Sequence, residues 1–138
     1  MNLPQIKERY EGIQTKLNCI DSGGCLFLCL CSIIEEVTGR PADIIGIVQE
    51  STQKGWIGKE FYIKDSCAIL SQFTGKKFKR ERVHTLPPSV EKNEFTVEKW
   101  FNPSRPGFTH FRRRFVDPLA SSVTVNEGRI YEYYIYSY

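Results

Sequence analysis

Cys25 stands where a polar, glycine-rich stretch, Asn18-Cys19-Ile20-Asp21-Ser22-Gly23-Gly24, meets an almost wholly apolar run, Leu26-Phe27-Leu28-Cys29-Leu30-Cys31-Ser32-Ile33-Ile34. The apolar run from Cys25 to Val37 is too long for a typical strand and predicts a helix buried on most of its sides. Ser22 is the expected N-cap, and Gly23 and Gly24 permit a tight turn while keeping side chains away from the sulfur. A thiol at a helix N-terminus lies beside exposed N–H groups and the positive end of the helix dipole, which favours the nucleophilic thiolate. Cys25 is therefore the candidate nucleophile. Such a thiol needs a base, usually histidine, and a third group to orient that histidine.

Only His84 and His110 are available as imidazoles. His110 is the better base because it begins an expected strand, 108–116, directly after a Pro/Gly loop, and a strand holds its side chain rigidly. Alternation puts Phe111 and Phe115 on one face of that strand, with His110, Arg112 and Arg114 on the other. His84, between a basic strand and the Pro87-Pro88 break, reads as structural. Cys29, Cys31 and Cys67 read as small core residues.

The elements that must position these groups fall into two halves. Helical spacing of Ile6, Tyr10, Ile13 and Leu17 predicts a first helix over 4–17, ahead of the buried helix that Thr38-Gly39 ends. Pro41 opens a further amphipathic helix with Ile44, Ile45 and Val48 inward and Gly55 as its stop. Residues 56–62 read as a loop or short extended piece, and Asp65 caps a short helix over 66–74 that ends at Gly75. Strands then follow at 77–83 and 95–101, with the His110 strand after them. A hairpin pairing 122–125 with 129–136 turns about Asn126-Glu127-Gly128. Helices first and an antiparallel sheet second make an α+β arrangement, expected as a single domain over 1–138.

The totals set bounds. A chain of 138 residues can bury a proper core without disulfide or metal staples. Five cysteines, an odd number with three of them inside 25–31, make a poor disulfide framework and point to a reducing compartment. No secretory signal is visible and the longest apolar run is too short to span a bilayer, so the expected location is the cytoplasm of the producing or host cell. A net charge of +3 is too small by itself to argue for nucleic acid. The four N-terminal cysteines contain no C-x-x-C pair, and no glycine-rich phosphate loop is present, so neither a metal nor a cofactor is expected.

A cysteine opening a buried helix, a histidine starting a strand of a following antiparallel sheet and a polar residue further on resemble the papain-like cysteine peptidase fold. The similarity is to its small phage and bacterial branch, which includes cell-wall and double-glycine leader peptidases. The chain also resembles, along most of its length, uncharacterised phage and spirochaete proteins of that layout. The matching pieces are Gly24-Cys25-Leu26, Thr109-His110-Phe111, Val116-Asp117-Pro118, and Ser122-Val123-Thr124-Val125 with Gly128-Arg129-Ile130. The resemblance implies Cys25 as nucleophile, His110 as base and Asp117 as its orienter. It also implies an oxyanion hole formed by the Cys25 N–H and a polar side chain upstream, for which Asn18 is the neutral donor available. A fully extended chain from His110 to Asp117 would span roughly 20 Å or more. A triad therefore requires a turn after His110. Without one the site is a Cys–His dyad, or the fold carries no chemistry.

Two further readings stand beside a cysteine hydrolase acting on a peptide or other amide. One is a catalytically silent relative that binds a host or phage macromolecule. The other is a nucleic-acid-binding module, in which the basic runs 76–82 and 112–114 meet the tyrosines of 131–138 on one sheet. The plainer account of those runs is a solvated strand face, although cations near His110 also suit an anionic substrate.

Overall fold

The computed structural model describes residues 24–58, 62–85, 92–101, 109–113 and 128–138, with the backbone alone for Thr109 and His110. The expected first helix, Asn18, Ser22, Asp117 and the expected strand 122–125 lie outside the described residues. Within them the architecture is α+β: three helices pack with a four-stranded antiparallel sheet.

Helix α1, Cys25–Thr38, is the centre of the core, and every residue from Cys25 to Glu35 is buried. Full burial of each large aliphatic or aromatic side chain there, such as Phe27 or Leu30, is worth about 1.5–3 kcal/mol. Gly39 ends the helix in the left-handed region at φ 68°, and its N–H donates to the Glu35 carbonyl at 2.8 Å. The Glu35 carboxylate then accepts from the Ala42 N–H at 2.9 Å, which fastens the connection to the next helix.

Helix α2, Ile44–Gln53, is capped by Asp43, whose side chain accepts from the Gly46 N–H. The helix thus starts three residues after Pro41 rather than at it. Its inward stripe is Ile44, Ile47 and Ser51, and Ile45 is 52% exposed, which corrects the expected inward set. The phase is the plain i, i+3, i+7 of a one-sided helix. Helix α3, Ser66–Thr74, has the expected Asp65 cap and the expected stop at Gly75, φ 72°.

The strands are β1 Lys79–Val83, β2 Glu94–Phe101, β3 Thr109–Arg113 and β4 Arg129–Ser137, in the spatial order β1-β4-β2-β3. The last strand in sequence is therefore central, paired along β2 and, over its second half, along β1. Between Lys99 and Trp100 the register shifts: Lys99 faces Glu132 and Trp100 faces Ile130, so Tyr131 is the extra residue of a bulge. Helix α1 lies against α3 and β3. The buried hydroxyl of Tyr136 on β4 donates to Ser66 Oγ at 2.9 Å, joining the sheet to the start of α3.

Candidate active site

Cys25 is the first residue of α1 and is completely buried. The N-cap position falls on Gly24 rather than Ser22, with helical torsions (φ −64°, ψ −35°) and no side-chain cap. The expected sharp turn is thus not made at Gly24.

Which way Cys25 faces follows from helical spacing. Ser32 is seven residues on and Glu36 eleven, close to two and three whole turns, so the three residues share one stripe of α1. That stripe meets β3, because Arg113 Nη1 donates to Ser32 Oγ at 2.8 Å and Arg113 Nη2 pairs with Glu36 at 2.5 Å. The direction of α1 follows from its last turn. Glu36 and Val37 line a cleft with Asn93, Phe95 and Tyr138, at the end of the sheet where Glu94 pairs with Ser137. Arg113 lies toward that same end, opposite Val97, whereas Thr109 lies opposite Phe101 at the other. Helix α1 therefore runs along β3 in the same direction. From Ser32 back to Cys25 is roughly 10 Å of helix, and from Arg113 back to position 110 is roughly 10 Å of strand. Cys25 and the backbone of His110 thus occupy the same end of the α1–β3 pair.

Two facts bear on the chemistry available there. Position 110 has the register parity of Arg112, which meets Glu98, and not that of Arg113, which meets α1. And β3 is extended through Arg113, so the turn a triad needs must be made in 114–116. Asp117 and Asn18 lie outside the described residues. His84, the other imidazole, is exposed; its Nδ1 is 3.3 Å from the Tyr131 carbonyl and its ring stands edge-on to Tyr131 at 6.0 Å between centroids.

The cations of this region have acid partners. Arg112 Nε donates to Glu98 at 2.6 Å while its guanidinium lies 4.7 Å from the centre of the Trp100 ring, and Trp100 Nε1 donates to the same Glu98 oxygen at 3.1 Å. Arg82 reaches Glu132 through Nε at 3.1 Å and Nη2 at 2.5 Å, and Lys99 Nζ adds a third contact at 3.5 Å. Burial raises the Glu132 pKa, but the hydrogen bonds and charge of Arg82, with Lys99, outweigh it and hold the carboxyl below its ordinary range. Arg82 and Arg112 are thus ion-paired, while β1 keeps the expected solvated face: Lys79, Arg80, Glu81 and Arg82 are exposed, and Arg80 and Arg82 lie over the Tyr134 ring at 5.1 Å.

Sequence reading passed over Ser32, Glu98 and Glu132, and took Arg113 only as part of a basic run. The available signals were a serine seven residues after Cys25 in an otherwise apolar run, and single acids at strand positions among aromatics. Among the described residues no group of three or more His, Cys, Asp or Glu side chains is placed to hold a metal ion. No described helix is long and apolar enough to cross a membrane.

No family model matches the chain, and neither the curated proteins nor the solved structures provide a match.

Proposed function

We propose that the chain is a cysteine hydrolase of papain-like fold that cleaves an amide or related acyl bond. The observation that supports this reading is the convergence of Cys25 and the backbone of His110 at one end of two parallel, packed elements, a helix start and a strand start. In this reading the Cys25 thiolate attacks the acyl carbon and His110 delivers the proton to the leaving amine. A thioester remains on sulfur. His110 then takes a proton from water, whose oxygen displaces the sulfur, releasing the carboxylic acid and restoring the thiol. Asp117 orients the imidazole if the chain turns in 114–116, and a dyad suffices if it does not. The Cys25 N–H and Asn18 would receive the oxyanion. Peptides, cell-wall stem peptides, isopeptides and small amides all fit this chemistry.

A second reading, a silent papain-like protein that binds a host or phage macromolecule, is favoured by the complete burial of Cys25 and by the parity of position 110. A peptidyl acyloxymethyl ketone separates the two. The hydrolase reading expects one thioether on Cys25, formed with saturation kinetics and abolished in His110→Ala. Absence of labelling by a panel of such probes, in folded protein at neutral pH, contradicts it and leaves the binding reading.

A further inference from the structure

We infer that Arg113 is the positioning residue of this site, setting the placement of Cys25 by clamping α1 onto β3; this rests on the hydrolase reading. The guanidinium fork holds α1 at two points one turn apart, Ser32 Oγ at 2.8 Å and the Glu36 carboxylate at 2.5 Å. Apolar packing already confines α1, and a single polar contact would add only one fixed point between it and β3. Two contacts on the stripe that also carries Cys25 fix both its rotation and its axial position. The guanidinium lies 5.6 Å from the centre of the Phe95 ring, so the fork is held from the sheet side as well.

The arrangement is costly as a stability device. The Arg113 side chain is only 15% exposed and its Nε is buried without a hydrogen-bond partner among the described residues, while Glu36 is 56% exposed. A half-solvated carboxylate returns little for a desolvated guanidinium. What the fork supplies is geometry: planar, bidentate and rigid, which a lysine ammonium cannot reproduce. The two backbones it joins are those that bring Cys25 and position 110 to one end. Displacement of a reacting group by about 1 Å can cost about 100-fold in rate.

The test is the rate of Cys25 carboxamidomethylation by iodoacetamide from pH 5 to 9, resolved by mass spectrometry, in wild type, Arg113→Lys, Ser32→Ala and Glu36→Gln. Circular dichroism and a thermal melt establish that each variant is folded at the assay temperature. The expected result is a wild-type Cys25 that reacts well below pH 7. In Arg113→Lys its rate at pH 6 falls at least 10-fold and its pH profile moves toward that of an ordinary thiol. Ser32→Ala and Glu36→Gln shift it the same way to a lesser degree, so the milder pair carries the test if Arg113→Lys does not fold. A wild-type profile that is activated and unchanged, or faster, in the folded variants overturns the role of Arg113 alone. A wild-type Cys25 that behaves as an ordinary thiol overturns the hydrolase reading first, and the positioning role falls with it.

Discussion

Tyr136 and Ser66 form a buried hydrogen bond of 2.9 Å that ties the central strand β4 to the first residue of α3. Both partners are shielded from water, so neither can replace the other with solvent. Tyr136→Phe removes the donor and leaves the Ser66 hydroxyl to find another, and is expected to cost about 1–2 kcal/mol in urea unfolding. Burial, only partly offset by Ser66 and Arg80, also pushes the Tyr136 phenol well above the ordinary value of 10.0. The folded state therefore favours the protonated phenol. That stability is present below pH 10 and is lost as pH rises beyond it. Wild type should weaken more steeply above pH 10 than Tyr136→Phe.

Glu132 carries the opposite pH dependence. Its pKa is depressed in the folded state, so its stabilisation is present above the ordinary glutamate value of 4.5 and is lost as pH falls through the lower folded value. Arg82 is half exposed, which discounts the pair. Glu132→Gln is expected to cost about 1–2 kcal/mol at pH 7, because Lys99 and Arg82 lose a buried partner. The urea midpoints of wild type and variant should converge as pH falls toward 3. A gap that stays constant from pH 7 to pH 3 contradicts the account.

Gly39 tests the end of the central helix. Its φ of 68° suits glycine, and a Cβ there would meet no atom within 4 Å, so the penalty for alanine is backbone strain alone. Gly39→Ala should lose about 1 kcal/mol and Gly39→Asn less, read from the urea midpoint. Equal losses for both variants contradict this.

How far the sequence foretold these features depended on how local their causes are. The Asp65 cap, the stops at Gly39 and Gly75 and the buried run from Cys25 follow from neighbouring residues, and all stand in the structure. The phase of α2 did not follow, because four adjacent small or apolar residues, Ile44-Ile45-Gly46-Ile47, offer two stripes and only packing chooses Ile47 over Ile45. Strand order was out of reach: β4 sits between β1 and β2, and these pairings join residues far apart in the chain. The same holds for the acid partners of the basic runs. Arg82 and Glu132 are 50 residues apart, and Arg113 and Ser32 are 81. For the candidate site, the helix that starts at Cys25 and the strand bearing His110 were legible as elements. Their parallel packing was not, and Asn18 and Asp117 lie outside the described residues.

Cys67 serves as an internal reference for any thiol measurement. It is a free, partly buried thiol, and burial pushes its pKa up, with Arg80 opposing and Asp65 adding to the rise. It should alkylate more slowly than free cysteine at pH 8, and its rate should be unaffected by His110→Ala. Alkylation of Cys67 faster than free cysteine contradicts this.

The central claim is that Cys25 and His110 act as a pair. The direct measurement is the alkylation rate of Cys25 by iodoacetamide against pH, resolved by mass spectrometry, in wild type and in His110→Ala. The account predicts rapid modification of Cys25 below pH 7 in wild type, at least 10-fold faster than Cys67, and its loss in His110→Ala. A Cys25 no faster than an ordinary thiol, or one unchanged by His110→Ala, contradicts the pair and turns the search to a binding partner.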